Sequence, residues 1–426
     1  MAGRRLDVLS TDFFPAYVVW ELTLRCDLAC RHCGSRAGPA RPVELTTSEA
    51  VAVAEELGRM GAREVVLIGG EAYLHEGFLE VVEALARAGV VPVMTTGGRG
   101  VDEALARAMA EAGLRRVSVS IDGLEPTHDR MRGFRGSFAA ALAALDHCAA
   151  AGLSISANTN LNRLNWGDLE ALYEQHLRGR VRSWQLQITT PLGRAADRTA
   201  MIFQPFDLLE LLPRVAALKR RAFAEGVLIL PGNNLGYFGP EEGLLRSQTP
   251  EGTDHWQGCQ AGRFVMGIES DGAVKGCPSL QTAAYVGGKV LERGLAEIWN
   301  EAPQLAFTRE RSVEDLWGYC RGCVFAKTCL GGCSFTAHAV FGRPGNNPYC
   351  HYRARDFAKR GLRERLVPTE AAEGTPFDNG LFEVVEEPLD APDPEAALEP
   401  RELVQITRRP GSTPAQTPRD PAGGGA

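Results

Sequence analysis

Three cysteines in the stretch RCDLACRHC, which runs from Arg25 to Cys33, have the spacing C-x3-C-x2-C. On a helix, Cys26, Cys30 and Cys33 would share one face and could be ordinary core residues. A structural zinc site more often uses four ligands in paired C-x2-C motifs. The third interpretation is a [4Fe–4S] cluster with three protein thiolates, which leaves one iron open to a small molecule.

The residues around these cysteines favour the iron–sulfur interpretation. Arg25, Asp27 and Arg31 lie among the cysteines, whereas a buried helix face would be apolar. The strand-like segment VVWELT leads directly into the stretch. This interpretation also explains why there are three cysteines and not four. The iron without a cysteine is the position at which a ligand binds, much as a catalytic zinc keeps one free position.

Seven further cysteines lie in the C-terminal half of the chain: Cys259, Cys277, Cys320, Cys323, Cys329, Cys333 and Cys350. The first pair reads C-x12-G-x4-C, and the next four read C-x2-C-x5-C-x3-C. Thiolates bind both zinc and iron, so a zinc ribbon is the alternative to an iron–sulfur domain. Cys148 stands alone in the helix-like segment FAAALAALDHCAAAGL and is predicted to be a buried core residue.

The composition predicts a cytoplasmic protein with reduced thiols. The chain has 426 residues, a net charge of −7 and eleven cysteines, an odd number that does not suit a disulfide framework. This charge gives no electrostatic footprint for nucleic acid or for an anionic membrane. The arginine pair at residues 4 and 5 precedes no apolar signal region, and no apolar run has the ~18 residues needed to span a bilayer. We therefore expect neither nucleic acid nor membrane as a partner.

Strand-like and helix-like segments alternate through the N-terminal half. Strands are predicted over residues 16–23, 64–69, 90–96, 115–122, 153–160 and 183–189. Amphipathic segments lie between them, and several end in glycine, as helices often do. This alternation indicates an α/β fold with a covered parallel sheet, and about six such units predict an open, partial (β/α)6 barrel of the TIM type. Ligands of such barrels bind at the C-terminal ends of the strands, where the first cysteine loop would lie.

Four further motifs follow the predicted strands. They are IGGEA at 68–72, SVSIDG at 118–123, THDRMRG at 127–133 and PLGRA at 191–195. The C-x3-C-x2-C motif followed by these four motifs in this order resembles the pattern of the radical S-adenosylmethionine (SAM) superfamily. The resemblance implies that the open iron binds SAM and that an electron from the cluster splits SAM. The resulting 5′-deoxyadenosyl radical would abstract hydrogen from a substrate.

The resemblance also assigns roles to individual residues around SAM. Gly69, Gly70 and Glu71 correspond to the family's GGE motif at the methionine amine, although its usual proline is Ala72 here. Ser120 would lie near the SAM carboxylate or ribose, and Arg132 would pair with the carboxylate, a role that suits a guanidinium. The implied cofactor-binding residues are His32, Gly69, Gly70, Glu71, Ser120, Asp122, Arg132 and Leu192, of which His32 and Leu192 would lie beside the adenine.

The later cysteines resemble the SPASM domain, a C-terminal extension with two auxiliary [4Fe–4S] clusters. The resemblance implies that Cys320, Cys323, Cys329 and Cys350 hold the outer cluster, and that Cys259, Cys277 and Cys333 hold the inner one. One iron of the inner cluster would then lack a cysteine ligand, and water, the substrate, His255 or Asp254 could complete it. The segment RFVMGIESDGAVKGC predicts a β-hairpin that turns at Asp271–Gly272.

These observations predict five segments: an N-terminal lead-in (1–14), the partial barrel (15–225), a bridging segment (226–258), the SPASM domain (259–360) and a tail (361–426). The tail is rich in proline and acidic residues, and we predict that it is mostly disordered. Its segments FEVVEE and ELVQI are the exceptions that could form short strands.

The predicted function is that of a radical SAM enzyme whose substrate is a ribosomally made peptide. The alternative is radical modification of a small metabolite in natural-product or cofactor biosynthesis. A non-catalytic electron carrier is disfavoured, because such a protein has no use for an open iron beside GGE and IDG motifs. The enzyme would need a one-electron reductant such as flavodoxin or ferredoxin.

Overall fold

The computed structural model describes residues 12–249, 251–280 and 282–406. Its strands are β1 Tyr17–Thr23, β2 Glu64–Gly69, β3 Val91–Thr96, β4 Arg116–Ser120, β5 Ser154–Leu161, β6 Ser183–Ile188, β7 Leu228–Pro231, β8 Val265–Ile268, β9 Ala273–Lys275, β10 Val286–Lys289, β11 Leu362–Glu370 and β12 Leu381–Pro388. The first ten form one sheet in the order β10-β9-β8-β1-β2-β3-β4-β5-β6-β7. Strands β1 to β7 pair in parallel with their neighbours, and the sheet ends at β7 without closing on β1.

The α-helices are α1 Thr47–Arg59, α2 Phe78–Arg87, α3 Glu103–Glu111, α4 Glu125–Arg132, α5 Ser137–Ala150, α6 Leu169–Leu172, α7 Leu208–Ala224, α8 Glu242–Arg246, α9 Thr282–Tyr285, α10 Leu295–Glu301, α11 Pro303–Ala306, α12 Gly318–Arg321, α13 Ala326–Cys329, α14 Ser334–Phe341, α15 His351–Lys359 and α16 Pro400–Leu403. Helix α1 shows how the local sequence sets these bounds, because Thr46 caps it and exchanges hydrogen bonds with Glu49. No helix in the described part of the chain is both long enough and apolar enough to cross a bilayer.

All six predicted barrel strands are confirmed, each to within two residues at its ends. Their apolar runs suit the buried interior of a parallel sheet, with Trp20 and Trp184 fully buried on β1 and β6. Strand β7, which lies in the segment predicted as a bridge, extends the sheet by one more parallel strand. The predicted α/β fold with an open, TIM-like barrel is therefore confirmed.

The predicted hairpin at Asp271–Gly272 is confirmed as β8 and β9. Gly272 has a left-handed backbone (φ 81°), which glycine adopts without steric cost. The Ala273 N–H donates to the Asp271 side chain over 3.2 Å, which tightens the turn. Strand β8 pairs in parallel with β1, so the hairpin continues the barrel sheet into the cysteine-rich domain.

The prediction of a mostly disordered tail is wrong for residues 362–388. Here β11 and β12 form a separate antiparallel hairpin, in which the pairing runs from Leu362 opposite Pro388 to Glu370 opposite Leu381. The acidic composition wrongly indicated disorder, because arginines on β11 neutralise acidic side chains on β12. Arg363 and Arg365 both pair with Glu387. FEVVEE lies in β12, whereas the start of ELVQI lies in helix α16. Residues 407–426 lie outside the described residues, and the other segment boundaries stay predictions.

Candidate active site

The loop that follows β1 carries the first three cysteines at the C-terminal ends of the parallel strands. Its two ends are joined, because Cys26 N–H donates to the Gly38 carbonyl over 2.8 Å and Gly38 N–H donates to the Leu24 carbonyl over 3.1 Å. The thiols of Cys26, Cys30 and Cys33 all line one cavity of about 400 Å³. The structure thus brings together the three thiols whose spacing predicted a shared site.

Each of the three sulfur atoms has a nearby N–H donor. Leu28 N–H lies 3.4 Å from Cys26 Sγ, Ala37 N–H lies 3.4 Å from Cys33 Sγ, and Arg132 Nη1 lies 3.6 Å from Cys30 Sγ. Burial raises the pKa of the Cys30 thiol to about 11, although the Arg132 charge opposes this shift. Hydrogen bonds to sulfur stabilise thiolates and tune iron–sulfur clusters, so this surrounding suits metal ligation.

The GGE segment after β2 packs directly against the cysteine loop. A β-carbon on Gly70 would lie 2.1 Å from the Arg25 carbonyl oxygen and 2.7 Å from Cys26 Cβ, so only glycine fits there. Glu71 is buried, accepts hydrogen bonds from Gly97 N–H (2.7 Å) and from the Thr96 hydroxyl, and has a carboxylate oxygen within 4.8 Å of Cys26 Sγ. Burial raises the pKa of Glu71 to about 7. Gly69, Gly70 and Glu71 all line the same cavity as the thiols.

Ser120 and Arg132 line this cavity too, whereas Asp122 lies behind them. Asp122 is fully buried, with its Oδ2 2.6 Å from Arg132 Nη2 and 3.3 Å from His32 Nε2. Burial lowers the pKa of His32 to about 4, so its imidazole is neutral. In this structure Asp122 contacts Arg132 and His32 and orients them, and its predicted role in binding the cofactor stays a prediction.

A second cavity, of about 210 Å³, lies beside the first and contains Leu192 in its wall. The two cavities share His32, Gly34, Asn160, Gln187 and Phe377, and we refer to both together as the chamber. Leu192 is buried and approaches the cysteine loop, because a β-carbon on Gly34 would lie 3.1 Å from Leu192 Cδ2. All the residues predicted to bind SAM, except Asp122, thus line one chamber.

Sequence reasoning missed the amides of the chamber wall and an aromatic residue from the tail. Asn158, Asn160, Gln185, Gln187 and Asn234 line the chamber. Asn158 and Asn160 occupy alternate positions on β5, and Gln185 and Gln187 do so on β6. The period-two pattern in ANTN and WQLQI could therefore have placed these four amides on one face of the sheet. For Phe377, in the tail predicted to be disordered, the sequence offers no comparable signal.

The seven later cysteines form two groups. Cys320, Cys323, Cys329 and Cys350 line one small cavity of about 20 Å³, together with aromatic rings such as Phe325 and Tyr352. In the other group, burial, together with the adjacent thiols of Cys259 and Cys333, raises the pKa of Cys277 to about 12. The residues of the two groups match the sets predicted for an outer and an inner cluster, and their role as cluster ligands stays a prediction.

Cys148 belongs to neither group. It lies on α5, fully buried in the barrel core, whereas Cys333 packs with Tyr237 and Trp256 in a separate apolar cluster. The prediction that Cys148 is a core residue is therefore confirmed. His255 and Asp254 precede Cys259 in an irregular segment, and their role as ligands stays a prediction.

Comparison with known proteins decides the family. The sequence model of the radical SAM superfamily matches residues 20–175, and that of the SPASM iron–sulfur cluster-binding domain matches residues 259–324. The mycofactocin maturase MftC of Mycobacterium ulcerans is 32% identical over 346 residues, which cover 79% of this chain and 88% of the relative. The chain belongs to the radical SAM superfamily and carries a SPASM domain.

A second relative and a solved structure agree with this family. The AdoMet-dependent heme synthase of Methanosarcina barkeri is 28% identical over 350 residues, covering 80% of this radical SAM chain and 97% of the relative. The crystal structure of Streptococcus suis SuiB bound to S-adenosylmethionine superposes with a TM-score of 0.61 at 16% identity, covering 79% of this chain and 76% of that one. This structural likeness establishes the shared fold.

The residues of the radical SAM chamber fit a polar cofactor. Arg132 Nε, Asn158 Oδ1 and Thr190 Oγ1 are buried, line the chamber and have no hydrogen-bond partner among the described residues. Buried polar atoms normally find a partner, so an N–H donor, a carbonyl acceptor and a hydroxyl left over in one cavity indicate a polar ligand. Together with three thiols that have N–H donors, they suit SAM bound beside an iron–sulfur cluster.

Proposed function

We propose that this radical SAM chain cleaves SAM reductively and modifies a ribosomally made peptide. The observation that carries the proposal is the chamber itself. Its wall joins the three thiols, the GGE segment and Arg132 on one side to a row of amides and to Pro278 and Ser279 of the SPASM domain on the other. Cofactor and substrate would therefore meet in one space between the barrel and the SPASM domain.

The chain's own residues would hold the cofactors in place. Cys26, Cys30 and Cys33 are the proposed ligands of the first [4Fe–4S] cluster, which with SAM supplies the 5′-deoxyadenosyl radical for hydrogen abstraction. Glu71, fixed by Thr96 and Gly97, would accept a hydrogen bond from the SAM amine. Arg132, fixed by Asp122, would offer its unpaired Nε to the SAM carboxylate.

The two later cysteine groups are the proposed ligands of auxiliary [4Fe–4S] clusters. Cys320, Cys323, Cys329 and Cys350 supply the four thiolates that one cubane needs. Cys259, Cys277 and Cys333 supply three, and Cys148 is buried in the barrel core on α5. One iron of the inner cluster would therefore have a non-cysteine ligand, such as water, a side chain or the substrate.

The amide-rich wall supports a peptide as the substrate. Asparagine and glutamine side chains both donate and accept hydrogen bonds, which matches the N–H and C=O groups of a peptide backbone. An anionic small molecule would instead need free cations. Among the described residues that line the chamber, Arg132 is the sole lysine or arginine, and it is already paired with Asp122.

A cysteine-replacement experiment tests the radical SAM proposal. The triple variant C26A/C30A/C33A should lose about four irons per chain, the content of one cubane, and should keep the auxiliary clusters. With dithionite in place of a flavodoxin or ferredoxin, it should form no 5′-deoxyadenosine, whereas the wild-type protein should. Cleavage of SAM by the triple variant would contradict the proposal.

The peptide substrate needs a separate experiment. Each short open reading frame that adjoins the gene would be co-expressed with the enzyme, and the encoded peptides would be analysed by mass spectrometry. A mass change in one peptide that depends on Cys26, Cys30 and Cys33 supports the peptide maturase. If no such peptide changes and a small metabolite does so instead, the substrate belongs to the alternative class.

A further inference from the structure

The loop between β11 and β12 enters the chamber. Phe377, in the middle of this loop, is 8% exposed and lines both cavities of the chamber, as His32 and Gly34 do. The loop thus brings a residue from the C-terminal tail to the wall of the proposed SAM site.

Main-chain hydrogen bonds fasten the loop to the residues around that site. Phe377 N–H donates to the Gly34 carbonyl over 3.1 Å, and Gly193 N–H donates to the Asp378 carbonyl over 2.7 Å. Leu192 also forms an antiparallel bridge with Asn379. The loop is therefore bound both to the cysteine loop and to the segment that contains Leu192.

A buried ion pair fixes the same loop. Asp378 is 2% exposed, and its Oδ1 lies 2.8 Å from Nε of Arg36, which is three residues beyond Cys33. Arg36 is held in turn by Asp197, with 2.6 Å between Nη1 and Oδ2. The second oxygen of Asp378 accepts the Thr375 N–H over 3.1 Å, so one carboxylate both closes the loop and anchors it.

The backbone of Phe377 is strained. Its φ of 59° lies in the left-handed region, which a bulky aromatic residue rarely adopts. Such a conformation persists only where the surroundings enforce it, and it is found most often at functional sites. Here the conformation is enforced by the hydrogen bond of Phe377 to Gly34 and by the contacts of the next residue, Asp378. The loop therefore holds the Phe377 ring in a fixed position.

We propose that Phe377 is a SAM-contacting residue whose ring covers the adenosyl end of the cofactor, so that the C-terminal hairpin completes the SAM site. This assignment rests on the proposed function, in which the chain binds SAM. His32 and Leu192, which the family resemblance places beside the adenine, line the chamber with Phe377. The Lys275 ammonium lies 4.2 Å from the centroid of the Phe377 ring and occupies one of its faces. Phe377 also lines both cavities of the chamber, and an aromatic ring there offers a stacking surface to a purine.

Four variants of the reconstituted protein test this assignment, with the dissociation constant of radiolabelled SAM measured by anaerobic equilibrium dialysis. F377G removes the ring and also the backbone strain, because glycine adopts a left-handed φ freely, so the loop stays folded. SAM should bind about tenfold more weakly to F377G, the order expected for a lost aromatic contact. F377Y keeps the ring and should stay within about twofold of wild type.

Two carboxylate variants form a matched pair. D378N breaks the Arg36 pair that holds the loop and should weaken SAM binding as F377G does. D393N breaks the Asp393–Arg163 pair (2.8 Å), another contact between the tail and the barrel, and neither of these residues lines the chamber. D393N should therefore bind SAM as the wild type does. Iron content and melting temperature, measured for each variant, identify any loss of clusters or of fold.

Two results would overturn the assignment while the proposed function stands. One is wild-type SAM affinity in F377G, and the other is an equal loss of affinity in D393N and D378N, which would reveal a general effect of the tail. If the wild-type protein with all its clusters neither binds nor cleaves SAM, the proposed function fails and the assignment fails with it.

Discussion

Arg132 and Asp122 form a buried ion pair, with 2.6 Å between Arg132 Nη2 and Asp122 Oδ2. The other terminal nitrogen of Arg132 lies 3.6 Å from Cys30 Sγ. A single guanidinium therefore connects the cysteine loop to the end of β4, and its orientation is set before any ligand arrives. This arrangement is the preorganisation that an anionic ligand group requires.

Replacing Asp122 by asparagine should destabilise the protein and weaken SAM binding. D122N leaves Arg132 as a buried cation without its partner, a change that typically costs about 3–5 kcal/mol. The double variant D122N/R132Q should recover part of the lost melting temperature, because both charges are then gone. E103Q, which breaks the exposed pair with Arg107, is the control and should have almost no effect. If the losses of D122N and of the single variant R132Q simply add in the double variant, the pair does not act as a unit.

Replacing Gly70 by alanine should prevent assembly of the first cluster. The new β-carbon would lie 2.1 Å from the Arg25 carbonyl oxygen, so the cysteine loop would have to shift. G70A should lose about four irons per chain and retain its auxiliary clusters, as measured by iron analysis and electron paramagnetic resonance. G167A is the matched control, because a β-carbon there meets no atom within 4 Å. A full complement of iron in G70A would show that the loop tolerates displacement.

Glu364 should be important for stability although it lies outside the residues that match the radical SAM and SPASM sequence models. It forms a buried ion pair with Arg353, at 2.6 Å and with both residues 4% exposed, which joins β11 to helix α15. E364Q leaves the Arg353 cation unpaired and should cost about 3–5 kcal/mol. Thermal unfolding under anaerobic conditions measures the change, and E383Q, on the exposed side of β12, is the control. Equal melting temperatures for E364Q and wild type would contradict the role assigned to the hairpin.

Lys219 should make stability depend on alkaline pH. It is buried on α7 and donates to the Leu245 and Ser247 carbonyls, and burial lowers its pKa to about 8. Between this value and its ordinary pKa of about 10.4, the unfolded chain binds more protons than the folded one, so stability rises with pH. The melting temperature of wild type minus that of K219M should therefore increase from about pH 8 to about pH 10. K359M, at an exposed site, should show no such trend.

Much of the fold was predictable because its signals are local. Strands β1 to β6 lie side by side in the sheet in the same order as in the sequence, and each is marked by its own apolar run. Gly272 marks a turn that a glycine forms easily. Of the hairpin β11–β12, the sequence indicated only FEVVEE as a possible strand, because the hairpin is held by ion pairs such as Arg363–Glu387 and Arg353–Glu364. A composition rich in acidic residues does not reveal which arginines will meet them.

The sequence alone determined which atoms could bind metal and cofactor: the spacing of Cys26, Cys30 and Cys33 and the motifs after each strand led to the chamber residues. The tertiary structure alone decided how that chamber is enclosed. Arg36 and Asp378 are 342 residues apart, yet their contact brings Phe377 to the chamber wall. Periodicity and motifs report contacts between near neighbours in sequence, whereas a contact at this separation depends on the packing of the whole chain.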